Sequence, residues 1–365
     1  MAATIVIKSS TARPAILINV LISVLMAGPT YARADSWVKV DTKQYVLNNK
    51  QDALDLAGQQ FGWYGNGTGT VYRTTDAGQS WKSVWSHRGT YIRAIAFADE
   101  RLGFLGNIGP GYFPNVADKR PLYVTRDGGT RWDPVKVTGP QVAGICAIDI
   151  LKVGDRVAAI RAGGRVGGPA GLIESFDGGR TFAARDLSNV TGMILDIRFL
   201  DEQVGFIAGA SDAAEDKAHA RILKTVDGGK SWRTVFESDR AGDNNWKLAF
   251  PSSTIGYGTI ISYQAPDGEA RGYVVKTKDG GEHWQRLTVT QDSQWIPYGI
   301  NFLDERRGWV GGSTGGFETT DGGVTWTRTE MGASVNKIRF VRHADGSATA
   351  FAIGKDLYRL EIKPR

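Results

Sequence analysis

A chain of 365 residues with 47 glycines, 11 tryptophans and few stretches of helical periodicity has the profile of an all-β protein rich in tight turns, not of a disordered or membrane-embedded one. Its single cysteine, Cys146, excludes an intramolecular disulfide, and in the apolar phrase GICAIDI it reads as a small core residue. The formal net charge of +6, which falls to +3 once the N-terminal signal is removed, is too small and too evenly spread to point to nucleic acid.

The first element in chain order is an export signal. Lys8 and Arg13 precede the apolar run AILINVLISVLMA, Ala15–Ala27, and the segment ends in the small-residue pattern Ala32-x-Ala34. A run of 13 residues falls short of the roughly 20 that span a bilayer, so residues 1–34 are expected to be cleaved and the remainder not to span a membrane. No cysteine follows the run, so a lipid-anchored form is not expected. Lys8, Arg13 and Arg33 leave with the signal and no acid does, so the remainder carries +3. The periplasm is the expected destination, with secretion as the alternative.

From Ser36 onward the chain is built from two interleaved phrases. One is a short strand, a polar turn and a Gly-aromatic pair: DALDLAGQQFGW, RAIAFADERLGF, LDIRFLDEQVGF, WKLAFPSSTIGY and YGINFLDERRGW, with CAIDILKVGDRV and NKIRFVRHADGS as weaker copies. Alternation such as Ile197-x-Phe199 marks the strand. The other is a Ser or Thr, an Asp two residues on, a Gly at +4 and an aromatic at +7. It recurs six times, with Asp76, Asp127, Asp177, Asp227, Asp279 and Asp321 spaced 51, 50, 50, 52 and 42 residues apart. Four short antiparallel strands, A to D, repeated at that period make a β-propeller blade. Strand A occurs seven times and the Asp phrase six, because the last unit, from Asn336, lacks strand D. SWVKV, Ser36–Val40, resembles SWKSV at Ser80–Val84 and supplies it. The expected fold of residues 35–365 is therefore an all-β, seven-bladed β-propeller of four-stranded antiparallel blades, closed by an N-terminal strand that completes the last blade.

The Asp phrase sits where strand C reverses into strand D. Glycines at +3 and +4 suit positive φ, the carboxylate accepts the turn's own N–H groups, and the +7 aromatic turns inward. All of this is local and repeated, so the six aspartates read as structural and none as catalytic. The phrase resembles the Asp-box of bacterial neuraminidase repeat proteins. Combined with the Gly-aromatic phrase, it most resembles the photosystem II stability/assembly factor family and its bacterial relatives, over essentially the whole mature chain. The resemblance implies a propeller whose Asp-boxes lie away from the ligand face, and a role in holding a protein partner.

Two enzyme classes share such boxes. Sialidases carry an Arg-Ile-Pro phrase; here Arg221-Ile222 is followed by Leu223. Xyloglucanases need two carboxylates, which Asp52, Asp55, Asp149 or Asp196 on the A strands could supply, but they use two propellers and this chain has one. GGSTG, Gly311–Gly315, lies in a hairpin, not at a strand-to-helix elbow. No metal, nucleotide or other cofactor site is expected. Unlike the boxes, the B–C and D–A loops differ from blade to blade. They carry the candidate binding residues Arg88, Tyr91, Arg93, Tyr112, Phe113, Asn245, Trp246, Lys247, Trp295 and Tyr298, aromatics beside cations that no repeat position demands. A protein or peptide partner is the first expectation and a glycan the alternative. The aromatics could equally fold back as lids, and the A-strand charges Arg198, Lys247, Lys337 and Arg339 could pair with Asp55, Asp149 and Asp196.

Overall fold

The computed structural model describes residues 36–42 and 51–364; the expected signal at 1–34 lies outside them. Seven separate four-stranded sheets follow one another, with antiparallel ladders between neighbouring strands of each blade. Blade 1 is Gln51–Ala57, Phe61–Asn66, Thr70–Thr74 and Lys82–Ser86. Blade 2 is Ile92–Phe97, Gly103–Asn107, Leu122–Thr125 and Asp133–Pro134, and blade 3 is Ala147–Val153, Arg156–Gly164, Gly171–Ser175 and Ala183–Asp186. Blade 4 is Met193–Phe199, Gly205–Ala210, Ala220–Thr225 and Arg233–Glu237, and blade 5 is Asp243–Ala249, Gly256–Ser262, Gly272–Thr277 and Gln285–Leu287. Blade 6 is Pro297–Phe302, Gly308–Gly312, Thr314–Thr319 and Thr327–Ala333. Blade 7 takes only three strands from the C-terminal end, Lys337–Arg342, Ala348–Ile353 and Leu357–Ile362. Among the described residues no helix is long and apolar enough to cross a membrane.

The fourth strand of blade 7 is Val38–Lys39. Val38 pairs with Arg359 and Lys39 with Tyr358, and Val40 N–H donates to Leu357 O at 2.9 Å. Trp37 is buried edge-on against Trp309 of blade 6, with ring centroids 6.2 Å apart. The ring is thus closed by hydrogen bonds within one blade and by an indole between two.

The repeated turns behave as local chemistry dictates. In blade 4, Thr225 Oγ1 donates to Asp227 Oδ1 at 2.7 Å and accepts from Gly229 N–H at 2.9 Å. Asp227 also accepts from the N–H and hydroxyl of Ser231, at 2.9 and 2.6 Å. Gly228 and Gly229 have φ of 76° and 92°, where an L side chain would be strained. Only the first turn departs, with Ala77 at φ 57°. The +7 aromatics Trp81, Trp132 and Phe182 are buried, while Trp232, Trp284 and Trp326 are half-buried between neighbouring sheets. A buried ring of this size stabilises by several kcal/mol as an upper bound.

Candidate functional site at the channel mouth

Strand A of every blade is innermost. It starts on the face that carries the D–A and B–C loops and ends on the face of the Asp turns. At its start, five blades share an irregularity in the A–B ladder: register shifts fall between Gln51 and Ala53, Ile92 and Ala94, Ile194 and Asp196, Asn245 and Lys247, and Pro297 and Ile300. A bulge leaves one residue unpaired and re-aims its side chain. The residues so released are Asp52, Arg93, Leu195, Trp246 and, with Gly299, Tyr298.

These side chains meet at the channel mouth. Arg93 Nη1 lies 3.0 Å from Asp52 Oδ1, and both residues are almost fully buried. Tyr91 donates its hydroxyl to Asp52 Oδ2 at 2.7 Å. Burial and the Asp52 charge push the Tyr91 phenol up. Arg93 is desolvated, yet Asp52 keeps it charged, and its guanidinium lies over the Trp246 ring at 4.9 Å. Lys247 donates to Leu195 O at 3.0 Å, and burial lowers its pKa to about 8. Tyr91, Trp246 and Tyr298 belong to one apolar cluster with Cys146, Met193 and Leu195, and Tyr112 packs against it. Above them Phe113 stacks on Tyr91 at 4.7 Å and meets Tyr112 edge-on.

Of the ten residues expected to bind, eight are thus at or beneath the mouth. Phe113 is on its surface and Tyr112 half-buried, with its hydroxyl on Glu215 at 3.0 Å. Tyr91, Arg93, Asn245, Trp246, Lys247 and Tyr298 are buried. Arg88 is exposed on the loop before Tyr91. Trp295 lies elsewhere: it packs edge-on against Phe317 at 5.0 Å in the core between blades 5 and 6. Sequence reasoning did not select Tyr263, which is 45% exposed and hydrogen-bonds Tyr298. The signal was available, because SYQAPDGEAR is one of the long variable loops.

Further down the channel the A-strand charges pair. Arg198 and Asp149 approach to 3.9 Å, and Arg339 and Asp55 to 3.5 Å. Each carboxylate also accepts an N–H from the inner strand of the next blade: Asp55 from Phe97 at 2.8 Å, Asp149 from Phe199 at 3.3 Å and Asp196 from Leu248 at 3.0 Å. They brace neighbouring blades around a cavity of about 340 Å³ lined by Asp55, Asp149, Arg198, Asn301 and Arg339.

Burial pushes the Asp149 carboxyl up to about 6, against an ordinary 3.8, despite Arg198 and Arg161 nearby. The folded state therefore holds this proton more tightly than the unfolded chain, and acidification from pH 6 to 4 adds about 2 kcal/mol of stability through this group. Below pH 4 the sign reverses. The turn aspartates, Asp76 and Asp127 at about 2 and the other four lower still, are held down by turn hydrogen bonds and must then be protonated. Burial pushes the Lys337 pKa well down and acts with the opposite sign, so the test is relative: between pH 7 and pH 5 the urea midpoint should shift more favourably in the wild type than in Asp149→Asn. An equal shift in the variant would place the titration elsewhere.

No family model matches the chain. The photosystem II assembly lipoprotein Ycf48 of Synechococcus sp. (strain CC9902) is 23% identical over 318 residues, 77% of this chain and 87% of that protein. The solved structure of YCF48 bound to D1 peptide superposes with a TM-score of 0.62 at 14% identity, over 90% of this chain and 96% of that one. The GH74 xyloglucanase from Xanthomonas campestris superposes with a TM-score of 0.63 at 15% identity, over 89% of this chain but 53% of its own. At these identities the solved structures share the propeller fold with this chain.

Proposed function

We propose that this chain is an exported, non-enzymatic propeller that holds an extended segment of a protein partner across the channel mouth, as an assembly or stability factor. One observation carries the reading. Bulges in five blades deliver non-repeating side chains to a single point, and Phe113 and Tyr263 stand exposed above it. Exposed aromatics over a buried arginine make an anchor point for a peptide, whose main chain can also meet the loop N–H and C=O groups. The likeness to an assembly lipoprotein, and to a propeller whose structure is named for a bound peptide, supports the same reading. We place the protein in the periplasm on the strength of the N-terminal run, and regard the six turns as Asp-boxes of the neuraminidase-repeat type.

The test compares two baits in an envelope extract, the wild type and an Arg88→Ala/Phe113→Ala/Tyr263→Ala variant with its folding checked by circular dichroism. All three side chains are exposed, so folding should survive. A partner retained by the first bait and reduced about tenfold or more on the second is the expected result, the loss of one to two anchors. Equal retention on both would move the binding surface away from the mouth.

One observation favours a second reading. Asp149, with its raised pKa, shares a cavity with Asp55, as an acid and base pair would. Against it, both carboxylates are already tied to an arginine and to a backbone N–H of the next blade. Turnover of a xyloglucan or sialoside panel, lost in Asp149→Asn and Asp55→Asn, would establish that reading in place of the first.

A further inference from the structure

Blade 3 breaks the repeat at one place. In blades 1, 2, 4, 5 and 6 the Thr of the Asp turn pairs with a strand-B glycine: Gly62, Gly103, Gly205, Gly256 and Gly308. The next residue is an aromatic, Trp63, Phe104, Phe206, Tyr257 or Trp309, and all five are fully buried. Where the following blade has an Asp turn, this ring fills the gap to it. Trp63 donates to Gly128 O at 2.8 Å and Tyr257 to Gly322 O at 2.9 Å. A Cβ on Gly179 would come within 2.8 Å of Phe104, and one on Gly281 within 2.4 Å of Phe206.

In blade 3 the pair is Ile160 opposite Ser175 and Arg161 opposite Glu174. Arg161 still reaches the next turn, donating to Gly228 O at 3.2 Å, but as a thin guanidinium laid 3.5 Å from the Phe199 ring. The volume that an aromatic takes in the other blades is left open. A cavity of about 1050 Å³ lies between the turn-side ends of blades 3 and 4. Leu151, Ala158 and Ala159 form its apolar floor as a separate small cluster, and Phe176, 60% exposed, stands at its edge.

The lining carries five cations, Lys136, Arg161, Arg180, Arg185 and Lys230, against four carboxylates, Glu174, Asp177, Glu202 and Asp227. Asp177 and Asp227 keep their charge but accept from their own turns, Glu202 pairs with Arg156 at 2.9 Å, and Glu174 is held between Arg185 and Arg161 at 2.7 and 3.4 Å. Lys136, Arg180 and Lys230 line the cleft with no ion-pair partner among the described residues, and Arg161 Nη1, almost wholly buried, has no hydrogen-bond partner there. Rim cations without an ion-pair partner, beside an apolar floor, complement one kind of molecule. We propose that the cleft between blades 3 and 4 is a second binding site, for a small organic anion with a flat apolar body and a carboxylate. The volume suits a small molecule. The body lies on the alanine floor beside Phe176, and the carboxylate meets the rim cations. The site is independent of the channel mouth.

The probe is 1-naphthoate, titrated by calorimetry into the purified protein, with 1-naphthamide as the uncharged control. We expect saturable binding of naphthoate below about 1 mM and at least about tenfold weaker binding of the amide. Arg180→Glu/Lys230→Glu, two exposed changes that leave the fold intact, should weaken naphthoate about tenfold or more, through loss of charge complementarity. Ala158→Phe should abolish binding by filling the floor, and Phe113→Ala/Tyr263→Ala should leave it unchanged. Absence of saturable binding, equal affinity for the amide, or an unaltered affinity in the rim variant would overturn the proposal. The rim variant decides the matter even if Ala158→Phe fails to fold.

Discussion

Asp52→Ala is expected to lower the unfolding free energy by about 3–5 kcal/mol, more than most single changes on the channel wall. The cost follows from what is left behind. Arg93 is 4% exposed, its counter-charge is Asp52 at 3.0 Å, and its guanidinium lies over the face of Trp246. Removing the carboxylate strands a guanidinium that cannot neutralise itself at any accessible pH. It also removes the acceptor of the Tyr91 hydroxyl, a second buried polar group. The pair itself need not be a net gain, because two ions were desolvated to make it. Asp52→Leu combined with Arg93→Met should therefore recover most of the loss. Urea unfolding of the three proteins checks both halves. A single-variant loss under about 1 kcal/mol would mean that water, not protein, surrounds the pair. The double variant also separates stability from function, since it keeps the wall packed while removing the charge beneath Phe113.

The repeat made the architecture legible and hid the site. Counting seven A strands against six Asp turns located the missing strand, and SWVKV identified its source, because a turn needs its residues in sequence order and each copy shows them. The bulges could not be seen the same way. They require no glycine or special residue, and five of seven inner strands share them, so no copy stood out by length. In the sequence Asp52 reads only as one carboxylate among several, because nothing in DALDLA says that it faces Arg93 of the next blade. Trp295 shows the converse limit. A tryptophan on a D–A loop can point to the axis or between blades, and Gly312 decides it. A Cβ there would come 2.3 Å from the indole, so the space belongs to the ring. Of the A-strand charges, left open between lining and pairing, Arg198 and Arg339 pair with Asp149 and Asp55, the carboxylates also accept from the next blade's backbone, and Lys247 donates to the Leu195 carbonyl instead. Blade 3's Arg161 was the least visible of all, since its copy of the Gly-aromatic phrase was too weak to align without the strand register.

Trp37→Ala should be as damaging as any core change, about 3–5 kcal/mol, although it sits on a two-residue strand. Val38 and Lys39 contribute two paired residues and a short ladder, and Lys39 adds an ion pair to Asp356 at 2.8 Å that is too exposed to count for much. The stabilisation is concentrated in the indole, which covers Trp309 and lies in one cluster with Met331, Leu360 and Ile362. Those residues come from blades 6 and 7, so the ring closes through a side chain as much as through a ladder. Removing residues 36–40 should then do more than lose that energy. It uncovers Leu357–Ile362, whose outer edge would offer unpaired N–H and C=O groups beside an apolar face, a template for pairing with another chain. Urea unfolding of Trp37→Ala and light scattering of the deletion at 37 °C separate the two effects. A substitution without measurable cost would show that the ladder closes the ring. A deletion that stays monomeric would show that the edge is covered by other means.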